Sequence, residues 1–86
     1  MKQLTYGQKL VNTNFNPSEL ESVGICKKHI AAVIDQLNDL REKTESPETK
    51  RLCSIAITEL QGAQMWAVNA LTSQLSTNSE ILIYTI

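Results

Sequence analysis

A helix-capping signature that occurs twice in the chain constrains the fold more than any other feature. It reads Asn16-Pro17-Ser18-Glu19 in the first place and Ser46-Pro47-Glu48 in the second. An Asn or Ser side chain can accept a hydrogen bond from a helical N–H group, and proline suits the first helical position because it has no N–H group to donate. The two signatures therefore predict two long helices, one over about residues 17–43 and one over about residues 47–75.

Apolar side chains recur every three or four residues in both predicted helices, which is the spacing of a single helix face. So few residues connect the helices that they must be antiparallel neighbours. We therefore predict an all-α fold, an antiparallel helical hairpin with a short N-terminal segment, as a single domain over residues 1–86. The predicted buried positions are Val23, Cys26, Ile30, Val33, Ile34, Leu37 and Leu40 in the first helix, and Cys53, Ala56, Leu60, Ala63, Ala67 and Ala70 in the second.

The second helix carries more apolar residues than one partner helix can cover. A surplus of this kind usually marks an interface, so we predict a helical homo-oligomer; the alternative is that the ends of the chain fold over it. The N-terminal end is predicted to contain one short helical turn before Asn12-Thr13-Asn14, and the short tail over residues 76–86 to be extended and apolar from Ile81 to Ile86. The surplus residues are Leu52, Ile55, Met65, Val68, Leu71 and Leu75.

Composition and cysteine usage argue against several classes of function. The formal net charge of -1 argues against a long nucleic acid as partner. No stretch approaches the ~20 apolar residues of a membrane span, and the N-terminus lacks the apolar run of a signal peptide, so we expect no membrane association and a cytoplasmic location. Cys26 and Cys53 have no ligand at zinc spacing; we expect both to be reduced core residues, with a disulfide between facing helices as the alternative.

The residue pattern does not suit catalysis. His29 is the only histidine, and Cys26 lies one helical turn away, but no carboxylate is placed to orient the imidazole. The glycines are scattered singly rather than forming a phosphate loop, and no acidic cluster suits a divalent cation. We therefore predict a protein that is not an enzyme, with no catalytic residue, no metal site and no cofactor.

A few residues are suited to binding small anions and flat rings. Lys27 and Lys28 fall in the first long helix, and Tyr6 falls in the N-terminal segment. Arg51 falls in the first turn of the second helix, where the helix dipole disfavours a cation unless an anion is also present. Arg51 and Thr58 lie two turns apart and can face one common space. The alternative interpretation of the lysines is a solvated helix face.

A segment of the second helix, Ile57-Thr58-Glu59-Leu60-Gln61-Gly62-Ala63-Gln64-Met65-Trp66-Ala67, has the pattern aliphatic-Thr-x-Leu-x-x-Ala-x-x-Trp-Ala. With Val11-Asn12, the run from Asn14 to Ser18, and Lys27, the likeness covers roughly residues 4–72. The chain thereby resembles the small bacteriophage anti-CBASS proteins that act as cyclic-oligonucleotide sponges. It departs from many of them at Gln61-Gly62, where they have an acidic pair, and at Gly7, where they have a histidine.

The resemblance implies a function without turnover, in which the protein sequesters cyclic nucleotide second messengers in the cytoplasm of the infected bacterial host and so blocks CBASS immunity. It implies a compact hexamer in which a cyclic GMP-AMP-like dinucleotide lies between protomers, with Tyr6 stacked on a base and Lys27, or else Lys28, at a phosphate. It also implies a separate pocket for cyclic trinucleotides, lined by Arg51 and Thr58. The residues alone leave open a helical protein–protein interaction adaptor and a purely structural oligomer.

Overall fold

The computed structural model describes residues 3–77, which form three helices and no strand: α1 (Tyr6–Val11), α2 (Glu21–Lys43) and α3 (Pro47–Thr77). A short connection joins α2 to α3, the two helices pack on each other, and α1 packs mainly on α2. The predicted all-α hairpin with a short N-terminal helical segment is therefore confirmed. The predicted extended tail from Ile81 to Ile86 lies outside the described residues.

Local capping explains where α1 and α3 begin. The Ser46 hydroxyl accepts a hydrogen bond from the Thr49 N–H group at 3.1 Å, as the capping signature predicts. Pro47 follows as the first helical residue, and α3 continues slightly beyond its predicted end, to residue 77. α1 begins with a capping box, in which the side chains of Thr5 and Gln8 each accept a hydrogen bond from the other residue's backbone N–H group.

The predicted start of α2 at position 17 is wrong, because residues 16–20 form a turn of their own ahead of the helix. The Asn16 side chain accepts a hydrogen bond from the Ser18 hydroxyl at 2.6 Å and donates one to the Leu20 carbonyl oxygen at 2.9 Å. Glu19 has a φ of 59°, a left-handed conformation that a right-handed α-helix does not contain. The helix therefore begins only after Leu20, which holds the cap position without a side-chain cap.

The core lies where the three helices meet. Val11 of α1, Ala31 and Ile34 of α2, and Ile57 of α3 are buried and packed together. Burying a Val or Ile side chain contributes roughly 1.5–3 kcal/mol. These contacts therefore hold α1 against the hairpin and fix its orientation.

The buried face of α2 is rotated away from the predicted stripe. The prediction places Val33 and Leu40 inside, but they are 42% and 47% exposed, whereas Lys27 and Ala31 are buried. The physical reason is that α2 packs against α1 as well as α3, so its buried face is centred between two partners. In α3, the residues predicted to be buried that are exposed instead are Ala63 and Ala70.

Large apolar side chains remain exposed on the outer surface of α3, as the surplus of apolar residues predicts. Leu52, Ile55 and Met65 are exposed, and Trp66 is 76% exposed. Val68 and Leu71 are half-buried, and the side chain of Leu75 lies outside the part of the chain that the structure describes. Within the part of the chain that the structure describes, this apolar surface of α3 therefore stays exposed.

Candidate functional site

An aromatic ring and a guanidinium group lie together where α1 begins. The Arg41 guanidinium, near the end of α2, lies 5.6 Å from the centroid of the Tyr6 ring and donates a hydrogen bond to the Tyr6 hydroxyl at 3.2 Å. Arg41 also donates to Asn38 Oδ1 at 2.7 Å and to the Ser54 hydroxyl of α3 at 3.0 Å. Tyr6 is 40% exposed, so this cluster presents an oriented ring to solvent.

Gly7 fixes the backbone of α1 beside α2. Its N–H group donates a hydrogen bond to Asp35 Oδ1 at 2.7 Å. The bond satisfies one of the N–H groups that a helix start leaves free and places a carboxylate at the positive end of the helix dipole. A Cβ atom at position 7 would lie 2.9 Å from the carbonyl carbon of Ala31 and closer still to its oxygen. Only glycine allows this approach, which also sets the position of the adjacent Tyr6.

Lys27, the predicted phosphate ligand, is only 5% exposed and makes its contacts within its own chain. Its ammonium group donates hydrogen bonds to the carbonyl oxygens of Asn12, at 3.3 Å, and of Phe15, and lies 5.5 Å from the centroid of the Phe15 ring. An ammonium group has three N–H donors, so these two bonds leave one for a ligand. Through its hydrogen bonds to Asn12 and Phe15, Lys27 also holds the connection between α1 and α2 against α2.

Tyr6 and Lys27 lie near opposite ends of α1. Tyr6 contacts Arg41, whereas Lys27 contacts Asn12, which follows the last residue of α1. Lys27 and Arg41 are fourteen positions apart on α2, which corresponds to about 21 Å along the helix axis at ~1.5 Å per residue. One protomer therefore places Tyr6 and Lys27 in separate clusters of contacts.

A cavity of about 410 Å³ opens beside Lys27, between the α1–α2 connection and α3. Its wall combines the apolar side chains of Phe15 and Met65 with the amide side chains of Asn16 and Gln64. Its volume lies within the roughly 300–1,000 Å³ typical of small-molecule sites. Lys27 supplies positive charge in the wall of this cavity.

The other residues that are predicted to contact a nucleotide lie on the exposed surface. Lys28 and Thr58 are exposed, and Thr58 lies in a shallow groove. Arg51 forms an ion pair with Glu48, with 2.6 Å between Nη2 and Oε2. The hydrogen bond between them lowers the pKa of Glu48 and raises the pKa of Arg51. Arg51 does not line this groove. The lining residues are Ser54, Ile55, Thr58 and Glu59.

The described part of the chain holds no group of three or more His, Cys, Asp or Glu side chains placed to bind a metal ion. Cys53 is buried, Cys26 is half-buried, and both thiols are free. Cys26 and His29 line a groove whose other residues are mostly apolar. None of the helices within residues 3–77 combines the length and apolarity needed to cross a membrane.

The helical hairpin itself matches a known protein family. The Acb2/Tad1 hairpin-domain model matches residues 9–72, which is 64 of the 86 residues. The chain belongs to the Acb2/Tad1 family. This is the anti-CBASS cyclic-oligonucleotide sponge family, whose members act as sponges rather than as catalysts. Comparisons with curated proteins and with solved structures give no significant match.

The Acb2/Tad1 match covers all of α2 and most of α3. It therefore includes four of the five predicted ligand residues. Tyr6 precedes the first matched residue, although α1 as a whole packs on the matched hairpin. The four included residues are Lys27, Lys28, Arg51 and Thr58.

Sequence reasoning missed the residues that surround Tyr6. In the sequence, Arg41 stands out only as a cation in the last turn of α2, where it suits the negative end of the helix dipole. Its contact with Tyr6 joins positions 35 residues apart, and its contact with Ser54 crosses from α2 to α3. The available local signal was the i, i+3 spacing of Asn38 and Arg41, which places their side chains together on one helix. That spacing alone does not indicate a ligand site in an Acb2/Tad1 protein.

Proposed function

We propose that this Acb2/Tad1 protein is a non-catalytic sponge that binds cyclic GMP-AMP-like dinucleotides, and cyclic trinucleotides in a second pocket. It sequesters these messengers in the cytoplasm of an infected bacterium and so blocks CBASS immunity. The family match over residues 9–72 is the observation that carries the proposal. A sponge requires cationic and stacking groups but no nucleophile, general base or metal.

The described contacts suit dinucleotide binding in two ways. The exposed Tyr6 ring is held by Arg41 and is free to stack on a base, an interaction worth ~1–3 kcal/mol per base in proteins that bind single strands. The remaining N–H donor of Lys27 can meet a phosphate, and a hydrogen bond to a charged group is worth ~1.5–3 kcal/mol. Lys28 follows Lys27 in the sequence and is exposed, so it is the second candidate for the contact with the phosphate.

The separation of Tyr6 from Lys27 supports a site between protomers. A cyclic dinucleotide is a compact ring in which a base and a phosphate are joined through one ribose. The backbone positions of Lys27 and of Arg41, which contacts Tyr6, are separated by roughly 21 Å along α2, so we assign the two contacts to different protomers. The proposed pocket therefore uses Tyr6 of one protomer and Lys27 of another.

We expect the protein to form an oligomer, because Leu52, Ile55, Met65 and Trp66 leave apolar surface exposed on α3. The resemblance to the sponge family implies that this oligomer is a hexamer. A domain of 86 residues also has a small core that benefits from association. Multi-angle light scattering should give six times the chain mass of 9.6 kDa. A stable monomer at micromolar concentration would contradict both the interface and the proposed pocket between protomers.

Arg51 and Thr58 are proposed to line the trinucleotide pocket. Each is exposed on α3, and the groove at Thr58 does not include Arg51, so we assign the pocket to copies of α3 from several protomers. The ion pair with Glu48 would have to open, or share the Arg51 guanidinium, when a phosphate binds. Because the pair is exposed, it opposes this rearrangement only weakly.

Isothermal titration against a panel of cyclic di- and trinucleotides tests the proposal. We expect binding of at least one cyclic dinucleotide, and recovery of the bound ligand intact after the complex is denatured, because the described residues offer no catalytic group. Linear nucleotides that accumulate in proportion to protein concentration would show an enzyme. An intact oligomer that binds no member of the panel would instead favour the adaptor or the structural oligomer.

The same titration of Arg51→Ala separates the two proposed pockets. Dinucleotide affinity should stay at the wild-type value, while any trinucleotide affinity should fall. Lys43→Ala, an exposed cation at the end of α2, is the matched charge control and should alter neither. If Arg51→Ala abolishes both activities in an intact oligomer, one shared site must replace the two pockets.

A further inference from the structure

Arg41 is a half-buried cation whose three hydrogen-bond acceptors are all neutral. They are the Tyr6 hydroxyl, the Asn38 amide oxygen and the Ser54 hydroxyl. Among the described residues no carboxylate lies within ion-pair distance of Arg41. Its positive charge is therefore held in place without being neutralised, a state that favours a bound anion.

The Arg41 guanidinium also has N–H donors that the described contacts do not use. It has five N–H groups, and the bonds to Tyr6, Asn38 and Ser54 account for three of them. The two N–H groups that remain are the Nε–H group and one on Nη1, because Nη2 donates to both Tyr6 and Asn38. Either can donate a charge-assisted hydrogen bond to a phosphate. The described contacts therefore orient Arg41 firmly while leaving donors for a ligand.

Arg41 contacts the Tyr6 ring and also fixes the orientation of the ring. The guanidinium lies over the ring, 5.6 Å from its centroid, and the bond to the hydroxyl fixes the direction of the phenol. A ring held in this way loses little conformational freedom when a base stacks on it. A cation and an oriented aromatic ring together match the phosphate and the base of a nucleotide.

We infer that Tyr6 and Arg41 form one binding unit for a cyclic dinucleotide, in which Arg41 positions the ring for base stacking and donates to the neighbouring phosphate. The inference rests on the proposed function and deepens it, because it adds Arg41 to the site. A cyclic dinucleotide has two phosphates, so Arg41 and Lys27 of a second protomer can each bind one.

A double-mutant cycle on the intact oligomer tests the unit. Arg41→Ala should weaken dinucleotide binding at least about tenfold, in line with the loss of a hydrogen bond to a charged group. Tyr6→Leu should also weaken binding. Because Arg41 acts partly through the ring, the effects of the two substitutions overlap. The double variant should therefore lose much less binding free energy than the sum of the losses in the two single variants. Lys43→Ala is the matched control and should keep wild-type affinity.

Two further measurements test the role of the guanidinium in binding and its effect on the position of the ring. Arg41→Lys keeps the charge but loses the planar guanidinium, so the affinity of the folded oligomer should fall between those of the wild type and Arg41→Ala. In the ligand-free protein, NMR resonances of the Tyr6 ring should shift in Arg41→Ala and not in Lys43→Ala.

The inference fails if Arg41→Ala binds like the wild type, if its effect adds fully to that of Tyr6→Leu, or if the Tyr6 ring resonances do not move. It fails also if both Arg41 variants lose binding only in proportion to a loss of oligomer. A wild-type protein that binds no cyclic dinucleotide overturns the proposed function instead, and the NMR arm then decides whether Arg41 positions the ring.

Discussion

Gly7→Ala is expected to destabilise the protein and to weaken dinucleotide binding together. The new Cβ atom would overlap the Ala31 carbonyl group and crowd Asp35 Oδ1, which lies 2.9 Å from the ideal Cβ position. Overpacking typically costs about 1–3 kcal/mol, and here the obstacle is backbone, which yields less than a side chain. α1 must then move away from α2, and Tyr6 moves with it. Thermal unfolding and titration of the same samples measure both effects.

Gly62→Ala is the matched control for this prediction. A Cβ atom at Gly62 meets nothing within 4 Å, and the residue lies inside α3. Alanine favours a helix interior over glycine by roughly 0.5–1 kcal/mol, so Gly62→Ala should be neutral or slightly stabilising. If Gly7→Ala is as stable as Gly62→Ala and keeps full affinity, the close approach of α1 to α2 does not set the position of Tyr6.

Lys27→Met is expected to destabilise the protein and to weaken dinucleotide binding. The substitution removes a buried ammonium group and keeps a side chain of similar length. The carbonyl oxygens of Asn12 and Phe15 lose their hydrogen bonds to it. The Asn12 carbonyl oxygen keeps the hydrogen bond from the Phe15 N–H group, so the main loss is the bond from the ammonium group to the Phe15 carbonyl oxygen. A hydrogen bond to a charged group is worth ~1.5–3 kcal/mol, and the free energy of unfolding should fall accordingly. The proposed phosphate contact is lost as well, which should weaken dinucleotide binding by another ~1.5–3 kcal/mol. Chemical denaturation measures the first effect and isothermal titration measures the second.

Lys28→Ala distinguishes the two roles assigned to Lys27. It removes the same charge from an exposed neighbour and should leave the free energy of unfolding almost unchanged. A large loss of affinity in Lys28→Ala, with none in a folded Lys27→Met oligomer, would move the phosphate contact to Lys28. Full affinity in both variants would remove the lysines from the proposed pocket and leave Arg41 as the phosphate ligand.

The sequence by itself determined the helical hairpin and much of its capping. Ser46 and Pro47 define the start of α3 through contacts with their own neighbours, which a local pattern can encode. The surplus of apolar residues on the second helix likewise follows from spacing alone. The start of α2 escaped prediction because the Asn16 side chain bonds within a separate turn rather than to the helix.

Only the tertiary structure decided how the candidate ligands are arranged. The packing of α1 on α2 rotates the buried face of α2, which turns Lys27 inward and leaves Val33 outside. The same packing brings Arg41 against Tyr6, a contact between positions 35 residues apart. Helical periodicity specifies which residues share a face, but it does not say how many neighbours that face must meet. The number of neighbours is set when α1 docks, and that docking depends on the space that Gly7 leaves.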